Sequence, residues 1–338
     1  MEEKKYQLQK IFIAGASGLA GSAIKRALTK ENNKSSQKKF LILSPSSSEL
    51  DLANFISVEA WFKKNSPHIV VIAAGKVGGI LANKTQPTEF ILENLKIQTN
   101  IIELSKKYKV KKLLFLGSSC IYPKFSSQPI IEENLLDSQL ESSNQFYAIA
   151  KIAGIKLCEA LVKQYSFNAI CLMPTNLYGP GDNYNPMNSH VMPALIKKIF
   201  DAKEKNLAQI TCWGTGSPLR EFLYVDDLAE ACLFALENWN INENSSPKDK
   251  FGKPLYWLNV GSSNEISIKN LVLKISQIVG YKGNILWDKN KPDGTPRKKL
   301  DTSRMSNLGW QSKVNLDQGI SLTLESYKKE LENNNLRI

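Results

Sequence analysis

Residues 10–21 read Lys-Ile-Phe-Ile-Ala-Gly-Ala-Ser-Gly-Leu-Ala-Gly, an apolar run broken by a glycine cluster and followed by helical spacing through residue 28. This order is that of a strand, a tight turn and a helix. Glycines at 15, 18 and 21 let the turn close and let backbone approach a pyrophosphate at the positive end of the helix. Outward from this stretch, the apolar runs 40–43 (FLIL), 69–73 (IVVIA), 112–116 (KLLFL) and 169–173 (AICLM) are separated by helical patterns such as 88–108 and 147–165. Strands alternating with helices predict an α/β fold, a Rossmann-like doubly wound parallel sheet covered on both faces.

The polar stretch 31–39 reads as a loop. Residues 174–190 (PTNLYGPGDNYNPMNSH) are rich in Pro, Asn and Gly and read as a long ordered loop of the kind that carries binding residues. A second, smaller α/β domain is expected from there. The division is 1–175 for dinucleotide binding, joined by part of 218–250, and 176–338 mainly for the substrate. Residues 238–253 are too polar to pack as a core element and read as an exposed loop.

With 338 residues, 42% hydrophobic and 22% charged, the chain can bury a full core and is neither disordered nor fibrous. Its 44 basic against 32 acidic residues leave a net charge of +12, but only five of the 44 are arginine and the lysines are scattered. That pattern reads as a solvated surface, and no nucleic-acid partner is expected. Five cysteines without a C-x-x-C pair and two histidines in all argue against a disulfide framework or a metal site. No apolar run approaches the ~18 residues of a membrane helix, and the N-terminus lacks a leader's apolar region, so no membrane partner and a cytoplasmic location are expected.

Tyr147 and Lys151 stand four apart, on one helical face. A cation near a phenol favours its ionised form, which makes the pair a candidate for proton transfer. Alone, such a pair is usually a surface feature. Here Gly117-Ser118-Ser119-Cys120 lies at the end of the strand KLLFL, where ligands of such sheets sit.

The glycine turn, a strand-end Ser and Y-x-x-x-K resemble the extended short-chain dehydrogenase/reductases that act on nucleotide sugars. Within that group, AAGKVGGILAN (73–83), FLGSSCIYPK (115–124), YAIAKIAGIKLCE (147–159), MPTNLYGPGDN (173–183), NSHVMPALI (188–196), WGTGSPLREFLYVDD (213–227) and KPDGTPRKKLD (291–301) resemble the GDP-L-fucose synthase family, in collinear order. The resemblance implies NADPH-dependent conversion of GDP-4-keto-6-deoxy-D-mannose to GDP-L-fucose, by epimerisation at C3 and C5 and then reduction at C4, in a homodimer. It implies that Ser118 and Tyr147 bind the C4 carbonyl, that Lys151 holds the nicotinamide ribose and lowers the phenol pKa, and that Cys120 and His190 form the epimerising acid–base pair. Cofactor contacts are implied for Gly15, Ala16, Ser17, Gly18, Leu19, Ala20, Gly21, Leu116, Gly117, Ser118, Ser119, Lys151, Pro174, Thr175, Asn176, Leu177 and His190. Substrate contacts are implied for Lys198, Trp213, Arg220 and Asp293.

Arg297, one of the five arginines, is a further candidate donor to phosphate or ribose. His68 and Cys158, Cys171, Cys212 and Cys232 keep structural readings. In place of the arginines usual in NADPH-preferring relatives, the chain has Ala16-Ser17 and Ser44-Pro-Ser-Ser-Ser48, so the 2′-phosphate falls to serines, backbone amides and Lys38 or Lys39. The competing readings are another nucleotide-sugar epimerase or dehydratase of the same superfamily, and a non-catalytic dinucleotide-binding regulator. A dehydratase would carry an acidic pair just after the strand-end Ser, where this chain has Ser119-Cys120-Ile121.

Overall fold

The computed structural model describes residues 8–34, 38–186, 188–291 and 293–338. Strand β1 (Gln9–Ala14) is buried from Ile11 on and ends at the glycine turn, which opens helix α1 (Leu19–Asn32). There follow β2 (Phe40–Leu43), α2 (Phe55–Asn65), β3 (Ile69–Ile72), α3 (Ile80–Thr85), α4 (Pro87–Lys107), β4 (Lys112–Leu116), α5 (Gln145–Tyr165) and β5 (Ala169–Pro174). All five strands run parallel, and β3, β4 and β5 are buried at every position, as a sheet covered on both faces requires. A sixth parallel strand, Trp257–Val260, closes the edge beside β5, for the order β2-β1-β3-β4-β5 and then Trp257–Val260. Because β1 has β2 on one side and β3 on the other, the winding reverses at β1, and a crevice opens beyond the carboxyl ends of β1 and β3.

Beyond β5 the chain builds β6 (Asn176–Tyr178), α6 (Val191–Glu204), β7 (Gln209–Trp213), β8 (Leu219–Tyr224) and α7 (Val225–Asn238). After β9, the Trp257–Val260 strand, come β10 (Glu265–Ser267), α8 (Ile268–Val279), β11 (Asn284–Asp288), β12 (Arg297–Lys298), α9 (Ser303–Asn307) and α10 (Leu316–Glu332). Strand β8 lies between β10 and β12 and also pairs with β6, and β7 pairs with β11. A second core around Tyr178, Ile196, Phe222, Leu271 and Tyr327 is separate from the core of the large sheet. Helix α7 returns to the large sheet, where it packs on α1 and Arg26 pairs with Asp226 at 2.6 Å.

Three local expectations are corrected. Helix α1 runs into the stretch read as loop because the Asn32 side chain accepts from the amides of Lys39 and Phe40 and donates to the Phe40 carbonyl, tying the helix end to β2. Residues 35–37 of that stretch lie outside the described residues. The loop 174–190 contains β6. In the polar stretch 238–253, Trp239 and Ile241 are core residues at 1% and 5% exposure, and the Lys112 ammonium donates to the carbonyls of Ala235, Leu236 and Trp239 where α7 ends. Averaged polarity hid one buried indole. Among the described residues no helix is long and apolar enough to cross a membrane.

Candidate active site

The candidate residues lie along the carboxyl ends of β1, β4 and β5. At the end of β1, Gly15 takes φ +86°, and a Cβ there would lie 2.6 Å from the Ala74 backbone. At Gly21 a Cβ would lie 2.1 Å from the Gly15 carbonyl oxygen, so the first turn of α1 is pressed against the loop that precedes it. Gly18 differs. Its nearest neighbour would be 3.4 Å away, and no side chain caps the helix that begins after it. Gly15 to Gly21 thus form a cradle with backbone amides at a positive helix end and no side chain in the way, which fits a dinucleotide pyrophosphate.

At the end of β4, the Gly117 amide donates to the Leu172 carbonyl at 2.9 Å, and a Cβ on Gly117 would meet Met173 Sδ at 2.3 Å. Ser118 is extended and caps a single 3-10 turn, Ser119–Ile121, by accepting from the Cys120 amide at 3.2 Å. Its hydroxyl proton stays available for donation. Behind the turn, buried Tyr122 donates to Asn259 Oδ1 of β9 at 2.6 Å, and Asn259 donates to the Ile130 carbonyl at 2.9 Å. This fixes the loop that carries Cys120 to the edge of the sheet.

Helix α5 brings Tyr147 and Lys151. Burial pushes the Tyr147 phenol up, with the Cys120 side chain adding to the rise and the Ser118 hydroxyl opposing it. A phenol so placed stays protonated and is a proton donor. Lys151 is 4% exposed; burial lowers its pKa to about 8, and it donates to the Leu116 carbonyl at 2.9 Å. Its Nζ is 5.9 Å from the centre of the Tyr147 ring, so its bond goes to β4 and not to the phenol.

Cys120 is the half-buried one of five free cysteines; the other four are buried. Two side chains that sequence reasoning did not single out touch its sulfur. Asn144 Nδ2 donates at 3.1 Å and Lys298 Nζ stands at 3.8 Å. The available signals were weak: Asn144 lies three residues before Tyr147, and Lys298 lies inside the KPDGTPRK block.

His190 precedes α6 and is exposed, although the protein around it lowers its imidazole pKa. The loop after β3 holds it in place, since the Gly79 amide donates to the Asn188 carbonyl at 3.0 Å and a Cβ on Gly79 would lie 2.7 Å from the Ser189 carbonyl oxygen. Among the described residues no hydrogen bond joins His190 to Cys120 or Tyr147.

The substrate-side candidates lie on α6, β7, β8 and the segment before β12. Lys198 Nζ donates to the Thr211 carbonyl of β7 at 2.9 Å, and Trp213, at the end of β7, is 59% exposed with Lys291 above its ring. Asp293 accepts from the amide and hydroxyl of Thr215, each at 2.8 Å. Burial lowers the Arg220 pKa, while Cys120, Asp293 and Glu141 around it favour its charge. At the end of β5, Thr175 and Asn176 donate to the Glu221 carbonyl at 3.1 and 2.9 Å, which joins β5 to β8.

Two groups considered for phosphate or ribose have partners within the protein. Arg297 Nε and Nη2 both bind Glu265, at 2.8 and 2.6 Å, so this guanidinium serves a protein carboxylate. Lys39 pairs with Glu237, and Ser46 donates to Glu49 at 2.7 Å from its amide and 2.8 Å from its hydroxyl.

The family model described as NAD dependent epimerase/dehydratase matches residues 11–246. GDP-L-fucose synthase 1 of Arabidopsis thaliana is 49% identical over 324 residues, covering 96% of this chain and 94% of that protein. Among solved structures, a GDP-6-OMe-4-keto-L-xylo-heptose reductase from C. jejuni aligns with a TM-score of 0.87 at 34% identity, covering 96% of this chain and 98% of that one. A GDP-L-fucose synthetase from Naegleria fowleri bound to NADP aligns with a TM-score of 0.84 at 27% identity, covering 99% and 98%.

Proposed function

We infer the reaction from one premise: the chain belongs to the NAD dependent epimerase/dehydratase family. It is an NADP-dependent epimerase and reductase that converts GDP-4-keto-6-deoxy-D-mannose to GDP-L-fucose. The observation that carries the reading at the level of residues is the meeting of Ser118, Tyr147 and Cys120 at the end of β4. Carbonyl donors adjoin a thiol, as a reaction with both an enolate and an alkoxide requires.

In the epimerisation, the Cys120 sulfur takes a proton from the carbon next to the ketone. The C–H electron pair becomes the C=C bond of the enolate and the carbonyl π pair moves to the C4 oxygen, where Ser118 and the protonated Tyr147 stabilise the charge. His190 returns a proton from the opposite face, and the configuration inverts. NADPH, when bound, would supply the hydride for C4. Tyr147 then gives its proton to the C4 oxygen, and the Lys151 charge steadies the phenolate left behind. Lys198, Trp213, Arg220 and Asp293 hold the GDP-sugar, and residues 15–21 hold the pyrophosphate of the dinucleotide. The protein works in the cytoplasm, whose reducing poise keeps the Cys120 thiol free, and as a homodimer through α4 and α5.

The test is turnover of the keto sugar nucleotide with NADPH in D2O, with the product identified by NMR. Wild type should give GDP-L-fucose carrying deuterium at C3 and C5. Cys120→Ser should lose that deuterium while still reducing the unepimerised ketone slowly. A wild-type product reduced at C4 with its original C3 and C5 configurations would make the enzyme a reductase alone.

A further inference from the structure

We propose that Asn144 is a positioning residue for Cys120: its side-chain amide donates to the sulfur and steadies the negative charge that the sulfur carries when it serves as base. The inference rests on the reading of Cys120 given above. Nδ2 lies 3.1 Å from Sγ, and an NH2 group can only donate, so the contact addresses an acceptor sulfur. Asn144 stands immediately before α5, where an Asn usually caps the helix, yet its side chain makes no cap bond. Its Oδ1 is buried with no hydrogen-bond partner. Neither the helix end nor its own acceptor accounts for the placement of this amide; the sulfur does.

The charged and titratable groups that face the sulfur agree in sign. Lys298 reaches it from β12, Arg220 acts on it from β8, and the Tyr147 phenol on α5 is held protonated beside it. The carboxylates of Asp293 and Glu141 act on Arg220. One cation and one amide donor touch a group that must be negative to act, and hydrogen bonds to an ionised acceptor are the strong ones. Asn144 is the residue that precedes α5, three positions before Tyr147 and seven before Lys151. Each half of the reaction thus pairs one residue of the loop after β4 with one at the start of α5: Ser118 with Tyr147 inside the helix, and Cys120 with Asn144 just before it.

The experiment measures the pH dependence of iodoacetamide alkylation of the full-length protein, with the Cys120 peptide quantified by mass spectrometry; the four buried cysteines report unfolding. Asn144→Ala removes the donor without removing a cap bond, and Asn144→Asp keeps size and capping ability while placing a carboxylate beside the sulfur. The midpoint should move up by about one pH unit in the first and further in the second, with roughly tenfold slower alkylation of Asn144→Ala at neutral pH. Deuterium exchange at C3 and C5 should fall by a similar factor, with KM for the sugar nucleotide unchanged. An unmoved or lowered midpoint in folded variants overturns the proposal, because the amide would then serve the thiol as acceptor or not at all. A raised midpoint with wild-type deuterium exchange supports the Asn144 assignment and overturns instead the reading of Cys120 as base.

Discussion

The Lys151 ammonium is 4% exposed, and desolvation lowers its pKa from 10.5 to about 8. The sign follows from linkage. A cation whose folded pKa lies below its unfolded one opposes folding at every pH where it stays charged, fully below about 8 and less as pH rises toward 10.5. A shift of that size costs the fold about 3 kcal/mol at neutral pH, before the bond to the Leu116 carbonyl returns about 1 kcal/mol. Lys151→Met should therefore raise stability by about 1–2 kcal/mol in urea titrations while lowering the reduction rate at least ~100-fold. In the wild type, the rate of C4 reduction should fall as pH rises through about 8, where the cation that steadies the phenolate is lost. Stopped-flow NADPH oxidation against pH reads this limb. A flat profile from pH 7 to 9.5 would detach Lys151 from the proton transfer.

At the scale of elements, the turn between β1 and α1 separates two uses of glycine. Gly21→Ala drives a Cβ to 2.1 Å from a backbone oxygen, so the turn must move and both stability and cofactor affinity should fall. Gly18→Ala meets nothing nearer than 3.4 Å; its melting temperature should stay within a degree or two of wild type, while its methyl obstructs the dinucleotide and raises KM for NADPH at least about tenfold. Thermal melts and initial rates together check the pair, and parallel losses of stability in both variants would deny the cradle its role. The strands around this turn were legible because each is a short apolar run between turn signals, and 40–43 and 112–116 match the observed bounds. Strand β9 was not, since WLNV contains an Asn whose burial depends on Tyr122 and Ile130, more than 125 residues away. The Glu265 partner of Arg297 was illegible for a similar reason: it arrives only once β10 and β12 flank β8. Motif spacing exposed Ser118, Tyr147 and Lys151, whereas the contacts of Asn144 and Lys298 with Cys120 exist only in the folded chain.

At the scale of the whole molecule, helices α4 and α5 pack along each other on the outside of the large sheet and still leave Leu92 46%, Phe146 39% and Ile149 42% exposed. Apolar side chains on two adjacent helices suit an isologous contact, in which the same pair of helices from a second copy covers them. Every residue placed in the reaction comes from one chain, so the interface would add stability without completing the site. Light scattering after size exclusion should give about twice the 37.9 kDa chain mass at micromolar concentration. Leu92→Lys combined with Ile149→Lys puts two like charges on each partner and should yield a monomer with a lower melting temperature. Turnover per chain should stay within about twofold of wild type, because Lys151 keeps its bond to β4 and Tyr147 its place beside Ser118 inside each copy. A wild type that elutes as a monomer, or a double variant that remains dimeric, would move the interface off these helices. A monomeric variant that loses all turnover would instead mean that the partner holds α5, and with it Tyr147, in register with Ser118.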